Sequence, residues 1–419
     1  MKKSYGRDNR PYVRPVTRIE LSESNIKLRW IGIIVLLAIG VVSIMIGLTG
    51  LLNTEPGWQT VEVSTREASC GGDFTLQYDF SQAGSGASMQ FKQLTSLYSD
   101  AAVRGYKLFS SQVEEAGLNN IAYLNRHVNE AVWVEPELYE ALSLLASYGT
   151  RQVFLEPMVV EYNRVFLCEN EVEAAMYAPT RNPETAAWLE EIGRFVSDPQ
   201  MIRLELVGED QVRLYAAPEY LAFAQENEIE VLFDLGWMKN AFLADYLASV
   251  LTENGYVNGY LASFDGFTRN LDNRGNQYSF NLFDRKEDGV YLPAVMRYDG
   301  PMSIVFLRAY PMGEQDRWHS YTFSTGETLS VMLNPQTGLP GNAAENLVCY
   351  GKFSCGEILL RAERAFIGEE LDTQALMDMA QEQIFSVWFE DWTLCCNDGK
   401  LILSENANGG AEKYSIVEK

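Results

Sequence analysis

The chain has 419 residues, of which 47% are hydrophobic, and a formal net charge of −24. This length allows roughly two to three domains, and the hydrophobic content allows a large core, which excludes a disordered protein. The acidic charge disfavours nucleic acid or anionic lipid as the main partner, because both are negatively charged as well.

The first predicted element is a transmembrane helix from Trp30 to Leu52. This stretch contains no charged side chain, and at about 1.5 Å per residue it is long enough to cross a bilayer of roughly 30 Å. A cleaved signal peptide is the alternative. The apolar run is longer than that of a signal peptide, however, and no small-x-small cleavage site stands out after it. The pattern therefore predicts a single-pass membrane protein.

The charge distribution predicts how this span is oriented. Residues 1–29 contain eight Lys or Arg and three Asp or Glu, a net +5, so the rest of the chain carries a net −29. By the positive-inside rule, the N-terminus is expected in the cytoplasm and the acidic remainder outside the cell membrane. We divide the chain into a basic tail (1–29), the span (30–52), a linker (53–69), one exported domain (70–405) and a C-terminal tail (406–419).

All six cysteines follow the predicted span. An oxidising compartment permits disulfides, and the candidates are the nearby pair Cys349 and Cys355 and the adjacent Cys395 and Cys396. Buried free thiols are an equal alternative. The only two histidines of the chain lie near neither pair, which disfavours a zinc site.

Three helices are predicted in the first half of the exported domain. The exported domain begins with a strand of alternating polar and apolar residues, Phe74 to Phe80. The first helical region follows it and extends to about Glu115. Glu135-Pro136 opens a second helix that Gly149 can end, and Asn182-Pro183 opens a third. Pro suits the first turn of a helix, and Gly suits the residue after its last turn.

From Ile202 the pattern changes to strands. Two segments of alternating polar and apolar residues lie on either side of Gly208-Glu-Asp210, which predicts a hairpin. After the next helix come short aromatic and aliphatic runs at 256–264, 278–283, 303–309, 318–323 and 328–333, which predict one antiparallel or mixed sheet. Helices are predicted near 355–367 and 373–384, and a closing hairpin turns at 397–400. This order favours one composite α+β domain.

The stretch from Phe233 to Asp245, FDLGWMKNAFLAD, indicates a short apolar strand that passes through Asp-Leu-Gly into a helix. Free N–H groups and the positive end of the helix dipole favour an anion there, and Gly lets a ligand approach the backbone. Trp237 is bulky where a second Gly would open the approach, and Asn240 stands where a cation could meet a phosphate. The alternative is that Asp234 caps the helix.

Common catalytic motifs are absent from the sequence, which contains no GxxxxGK[ST], HExxH, GxSxG or CxxC. With two histidines in the chain, catalysis that depends on imidazole has few candidate residues. The next informative motif is Leu333-Asn-Pro-Gln-Thr-Gly-Leu-Pro340, about 100 residues after Asp-Leu-Gly.

Together and in this order, the two motifs resemble the FAD:protein FMN transferase family, ApbE. The family's blocks LDLGGIAKGYAVD, HIIDPRTGYP and ADALATALFVLG are similar to FDLGWMKNAFLAD, VMLNPQTGLP and EILLRAERAFIG in this sequence. The segment YLNRHVNEAVWVEPELYEALSLLASYGTRQVFLEP also resembles the family's SRLN...VSPELYELLEKALE...GGAFDPT region. The resemblance extends over roughly Cys70 to Ser404.

The resemblance implies an α+β domain with two lobes that hold FAD in a cleft. It also implies Mg²⁺ and a partner flavoprotein whose Thr accepts FMN. A divalent cation suits this reaction because it neutralises the diphosphate and stabilises the leaving AMP. The positions that the resemblance assigns to flavin binding are Phe154, Asp234, Gly236, Asn240, Tyr246 and Thr337.

Many motif positions, Asn240 among them, depart from the family pattern. Most of these substitutions remove charge or add bulk, and they include the positions of the motif Lys, His and metal-binding Asp. The departures are at Leu155, Trp237, Asn240, Ala241, Val331, Asn334, Ile358 and Ala362. Loss of metal ligands or transition-state groups typically costs several kcal/mol.

The leading hypothesis is a catalytically degenerate, membrane-anchored homologue that binds flavin or a partner protein at the cell surface. The second is an active FAD- and Mg²⁺-dependent transferase with replacement ligands such as Asp234, Asp265 or Glu357. The third is a structural surface protein in which Trp237, Phe242 and Phe267 fill the old cleft.

Overall fold

The computed structural model describes residues 57–64, 73–312, 319–405 and 410–419. Within these ranges no helix is both long and apolar enough to cross a membrane. The longest of them, Ala87–Leu108, has 22 residues and carries Lys92, Asp100, Arg104 and Lys107. The predicted span at 30–52 lies outside the described ranges. The fold prediction is therefore corrected: the structure supports an α+β fold, and the single-pass transmembrane architecture is not supported.

The described ranges contain seventeen strands. In chain order they are β1 Trp58–Val61, β2 Phe74–Asp79, β3 Val132–Trp133, β4 Ile202–Gly208, β5 Gln211–Ala216, β6 Gly259–Ser263, β7 Phe267–Asn270, β8 Gln277–Lys286, β9 Gly289–Asp299, β10 Met302–Arg308, β11 Ser320–Thr322, β12 Thr328–Ser330, β13 Asn346–Gly351, β14 Phe385–Glu390, β15 Thr393–Cys396, β16 Ile402–Glu405 and β17 Ser415–Glu418.

Ten α-helices accompany these strands in the same ranges. They are α1 Ala87–Leu108, α2 Ile121–Arg126, α3 Pro136–Tyr148, α4 Glu156–Phe166, α5 Glu171–Tyr177, α6 Pro183–Val196, α7 Pro218–Glu226, α8 Lys239–Glu253, α9 Cys355–Phe366 and α10 Thr373–Gln381.

Proline, asparagine and glycine set the helix ends that the sequence predicts. α3 has Pro136 in its first turn and ends at Gly149, which has a left-handed φ of 64°. Asn182 caps α6, because its side chain accepts hydrogen bonds from the backbone N–H groups of Glu184 and Thr185. Both caps satisfy backbone groups that a helix end leaves unpaired.

A nine-stranded sheet forms the centre of the molecule, in the order β1-β2-β6-β7-β10-β13-β14-β15-β17. Its strand pairs are antiparallel, except that β15 and β17 run parallel. Alternate residues of each strand point to opposite faces. In β10, Val305 and Leu307 belong to the main core, which contains buried residues of α1, α8 and α9. Ile304 and Phe306 belong to a second core beneath β8 and β9.

The expectation of one sheet is wrong, since the structure has three further small sheets. The prediction of a closing hairpin at 397–400 is also wrong. β15 pairs with β14 in the large sheet, whereas β16 pairs with β9, with Ile402 opposite Arg297. The turn at 397–400 thus connects two different sheets. A sequence pattern shows the turn but not the distant partner of each strand.

The five cysteines within the described ranges are all free thiols. They include both predicted candidate pairs, so the alternative of buried free thiols is the one observed for Cys349, Cys355, Cys395 and Cys396. The sixth cysteine, Cys70, lies outside the described ranges.

Candidate functional site

The segment before α8 has no regular secondary structure, so the short strand that the sequence predicts there is absent. The side chain of Asn125 takes the place of a neighbouring strand. Its Oδ1 accepts hydrogen bonds from the backbone N–H groups of Leu232 and Phe233 at 3.0 and 2.9 Å, and its Nδ2 donates to Phe233 O at 2.8 Å. Asp234 N donates to Val153 O at 2.8 Å. These bonds fix the backbone that leads into the Asp-Leu-Gly turn.

The predicted anion position at this junction is taken by the chain's own carboxylate. Gly236 N donates to Asp234 Oδ2 at 2.8 Å, and Gly236 adopts a left-handed φ of 52°. The turn Gly236–Met238 is a 3-10 helix that continues into α8. A carboxylate at a helix N-terminus is favoured by the helix dipole. Asp234 therefore satisfies the N–H group that a bound anion would have used.

Trp237 connects the Asp-Leu-Gly turn to the Asn-Pro-Gln-Thr-Gly loop through Gln152. Its indole Nε1 donates to Gln152 Oε1 at 3.2 Å, and Gln152 Nε2 donates to Leu333 O at 2.9 Å. Gln152 is buried. The structure thus brings together the two motifs that carry the resemblance, and joins them with an indole and an amide.

Trp237 also lines two cavities in this cleft. A cavity of about 70 Å³ has Asp265 and Arg308 in its wall, and one of about 480 Å³ has Glu156 and Asp234. Trp237, His319 and Val331 line both of them. The residue at the position of the second motif glycine is therefore part of the partition between the cavities.

The larger cavity, which we call the acidic cavity, is defined by its carboxylates Glu156 and Asp234. Burial, together with the charge of Asp234, raises the pKa of Glu156 to about 8. Its described lining contains no Lys or Arg. A diphosphate placed here at neutral pH would meet the negative charge of Asp234 without a compensating Lys or Arg, which is unfavourable in a partly desolvated site.

Sequence reasoning missed Glu156. When Phe154 is matched to the Phe of the family's AFDPT, the acid of that motif falls on Leu155. Alignment on Pro157, which occupies the first turn of α4, would have placed Glu156 there instead. An acid followed by a proline at a helix start was the available signal.

Asn240, at the position of the motif Lys, hydrogen-bonds Asp265 instead of facing the acidic cavity. Its Nδ2 donates to Asp265 Oδ2 at 2.9 Å. Burial raises the pKa of Asp265 to about 6, against the opposing effect of its hydrogen bonds with Ser263 and Asn240. The remaining oxygens, Asn240 Oδ1 and Asp265 Oδ1, are buried without a partner among the described residues.

The polar groups of the Asn-Pro-Gln-Thr-Gly loop stabilise the loop itself. Asn334 Oδ1 accepts from Gln336 N at 2.9 Å and Thr337 N at 3.3 Å, and Thr337 Oγ1 accepts from Leu339 N at 3.3 Å. The phenol of Tyr162 donates to Gly338 O at 2.8 Å. Thr337 lines neither cavity of the cleft.

The predicted flavin-binding residues are thus only partly brought together. Asp234 and Gly236 line the acidic cavity. Phe154 is buried with its ring centroid 5.8 Å from that of Phe233. Tyr246 lies against α1, where a Cβ on Gly105 would come within 2.9 Å of its ring. Phe154, Asn240, Tyr246 and Thr337 line neither cavity.

The described residues do not form an all-protein site for Mg²⁺. Hard cations need several oxygen ligands, and the described part of the chain contains no group of three His, Cys, Asp or Glu side chains that could hold a metal. Ile358 and Ala362 are fully buried apolar residues. Glu357, a proposed replacement, is paired with Arg361 at 2.8 Å.

Asp245, at the end of the first motif, has a structural contact. Its two oxygens accept from Cys355 N at 2.8 Å and Gly356 N at 2.7 Å, at the start of α9. Arg269 Nε lies 3.4 Å from Asp245 Oδ1. Burial nevertheless raises the pKa of Asp245 to about 6. This residue caps α9 from α8 and so holds two helices of the main core together.

Comparison with solved structures identifies the architecture. A crystal structure of the ApbE protein from Thermotoga maritima matches with a TM-score of 0.52 and 12% identity, over 84% of this chain and 98% of that chain. The fold is ApbE-like. A mutant of flavin transferase ApbE from Vibrio cholerae matches with a TM-score of 0.48 and 13% identity, over 85% of this chain and 98% of that chain. The apo form of flavinyl transferase ApbE from Pseudomonas stutzeri matches with a TM-score of 0.47 and 11% identity, over 80% of this chain and 91% of that chain.

No protein-family model and no curated protein matches the chain. The ApbE-like fold that the two sequence motifs predicted is confirmed by the structural match. At 12% identity this match concerns the fold; activity depends on the residues of the cleft.

Proposed function

We propose that this protein uses its ApbE-like fold for binding and does not transfer FMN. The observation that carries the proposal is the position of Trp237 between the two cavities of the cleft. Its hydrogen bond to Gln152 holds the indole there. FMN transfer from FAD requires room and positive charge for a diphosphate, whereas the described lining of the acidic cavity contains Asp234 and Glu156 and no Lys or Arg.

The bonding of the motif residues supports the same conclusion. Asn240 and Asp245 each hydrogen-bond a distant part of the chain, and Asp234 accepts from Gly236 within its own turn. Asn240 and Asp245 line neither cavity of the cleft, so their hydrogen bonds retain the fold without presenting these two groups to a substrate. The ligand classes that follow from the fold are a weakly bound flavin in the acidic cavity and a protein partner, of which a flavoprotein is one.

The experiment is a titration of the full chain with FAD to millimolar concentration, followed by flavin fluorescence with and without Mg²⁺. AMP release is measured in parallel with a Thr-containing acceptor flavoprotein, and an active flavin transferase serves as the positive control. We expect no AMP above the buffer rate and no effect of Mg²⁺ on flavin affinity. Turnover comparable with the positive control would refute the proposal.

A substitution tests the partition directly. Trp237→Gly joins the two cavities, so we expect tighter FAD binding than in the unmodified chain, still without AMP release. Trp133→Gly, which removes an exposed indole on β3, is the matched control and should leave flavin binding unchanged. Equal flavin affinity of Trp237→Gly and the unmodified chain would show that the indole does not limit access.

A further inference from the structure

A separate cavity of about 950 Å³ lies on the sheet face opposite α8. In β6, Leu261 belongs to the main core, while its neighbours Tyr260 and Ala262 line this cavity. Alternation along the strand therefore places the cavity on the second face of the sheet. β8 forms the facing wall with Tyr278 and Phe280. The volume is about twice that of the acidic cavity and within the range of ligand sites.

Aromatic side chains dominate this cavity, which we call the aromatic groove. Eight aromatic residues line it, from β1, β6, β8, β9 and β10 and from the residue that follows β6. They include Trp58, Tyr260, Tyr278, Phe280, Phe283 and Phe306.

Three of these rings form a cluster at one end of the groove. The ring centroids of Trp58 and Tyr260 are 6.1 Å apart, and those of Trp58 and Tyr278, and of Tyr260 and Tyr278, are each 6.0 Å apart. Two of the pairs are edge-to-face, an arrangement in which ring faces remain available to a ligand. Trp58 is 44% exposed although its residue type is usually well covered.

A buried polar network holds this cluster in position. The phenol of Tyr278 donates to Asp272 Oδ2, and Asp272 is fully buried. Arg274 contacts the same carboxylate at 2.8 Å and reaches Asp79 at 2.8 Å. These hydrogen bonds hold the pKa of Asp272 well below its usual range despite burial. Because the charged partners are fixed, the Tyr278 ring is oriented before any ligand arrives, which lowers the entropy cost of binding.

Amides supply the polar side of the groove. Gln77, Asn276, Gln277 and Asn281 all line it. Gln77 Nε2 donates to Thr60 Oγ1 at 2.6 Å, which leaves its carbonyl oxygen for a ligand. Gln277 and Asn281 are exposed. Each free amide offers both donors and an acceptor.

Charge in the groove is nearly absent. Among its described lining residues Arg308 alone is charged, and its Nη2 already donates to Phe264 O at 3.1 Å. An anionic polymer or a phosphate would find little compensation here, and the net charge of −24 opposes its approach. A cation would instead meet the positive charge of Arg308, so a groove with this lining favours a neutral ligand.

A neutral ligand that suits both rings and amides carries apolar C–H faces and hydroxyl groups. Hydroxyls donate and accept, as the amides do, and C–H faces pack on the negative faces of aromatic rings. A proline-rich peptide also packs on aromatic grooves, but its proline residues offer only acceptors because they lack the N–H group. It would leave the amide oxygens unused. We propose that the aromatic groove is a binding site for a neutral saccharide.

The test is calorimetric titration of the full chain with cellohexaose, maltohexaose and chitohexaose, with decaproline as the peptide comparator. We expect at least one hexasaccharide to bind with a Kd below about 1 mM and to change the tryptophan emission of the protein. Decaproline should not bind. Trp58→Ala and Gln277→Ala should weaken this binding at least tenfold and about threefold, respectively. Both side chains are exposed, so the variants should fold.

Two controls make the result specific to the groove. Trp133→Ala removes another exposed indole, and Asp234→Asn changes the acidic cavity; both should bind the saccharide as the unmodified chain does. Failure of all three hexasaccharides to bind, or binding of decaproline instead, would overturn the proposal. So would saccharide binding that Trp58→Ala leaves unchanged. None of these outcomes depends on whether the protein transfers FMN.

Discussion

The indole Nε1 of Trp237 donates a hydrogen bond to Gln152 Oε1 across 85 residues of sequence, at 3.2 Å. The same glutamine donates from Nε2 to Leu333 O at 2.9 Å. One buried amide thereby joins the Asp-Leu-Gly turn to the Asn-Pro-Gln-Thr-Gly loop. In an ApbE-like fold this arrangement divides the cleft between the two motifs.

Trp237→Phe should destabilise the protein by about 1–3 kcal/mol, because it leaves the buried oxygen of Gln152 without its donor. Chemical denaturation of the two proteins measures the difference. Trp133→Phe, at an exposed position, is the matched control and should change the free energy of unfolding by less than about 0.5 kcal/mol. Equal effects of the two substitutions would mean that the Trp237 hydrogen bond contributes nothing.

Glu156 should make stability depend on pH between about 4.5 and 8. Its pKa in the folded protein is about 8, raised by burial and by Asp234, whereas the ordinary glutamate pKa is about 4.3. Within this window the folded state binds the proton more tightly than the unfolded state. The contribution of Glu156 is therefore most favourable below the ordinary pKa and declines as the pH rises towards 8.

The free energy of unfolding of the unmodified chain and of Glu156→Gln, measured from pH 4.5 to 8.5, checks this. Relative to the unmodified chain, the variant should gain stability steadily through this range. Asn163→Ala changes the wall of the same cavity without removing a titratable group, and should keep the slope of the unmodified chain. Parallel curves for Glu156→Gln and the unmodified chain would contradict the assignment.

Gly338→Ala should destabilise the Asn-Pro-Gln-Thr-Gly loop for two reasons. Gly338 has a φ of 66°, and an added Cβ would lie 2.7 Å from Leu189 Cβ. Gly149 has nearly the same φ, 64°, with no atom within 4 Å of an added Cβ. Gly149→Ala should therefore cost only the left-handed strain of about 1–2 kcal/mol, and Gly338→Ala clearly more. If thermal denaturation shows the same loss of stability for both variants, contact with Leu189 does not contribute to the effect of Gly338→Ala.

Cysteine labelling should follow burial. In the native protein, iodoacetamide at pH 8 should modify Cys168, which is half-buried, far faster than Cys349, Cys355, Cys395 and Cys396, which are buried. Burial raises the pKa of Cys349 to about 12, which disfavours the reactive thiolate. Peptide mass mapping before and after unfolding measures each site. Rapid native labelling of Cys349 would show that this part of the core opens.

Local sequence signals predicted the helix ends well. Pro136, Gly149 and Asn182 act through hydrogen bonds and backbone angles within a few residues of themselves, so their effect does not depend on the rest of the fold. The expected strand at Phe233 is absent for the opposite reason. Its backbone partner is the side chain of Asn125, 108 residues earlier, and no local pattern indicates such a partner.

The candidate site shows the same difference between local signals and long-range contacts. The sequence by itself determined that two motifs in ApbE order occur in one chain and that Trp237 and Asn240 depart from them, because these are properties of residue identity and spacing. Tertiary structure decided that Trp237 bonds Gln152, that Glu156 stands beside Asp234, and that β16 pairs with β9. It also decided that aromatic residues of five separate strands line one groove. These contacts join distant parts of the chain, and folding selects them by the packing and hydrogen bonding of the whole domain.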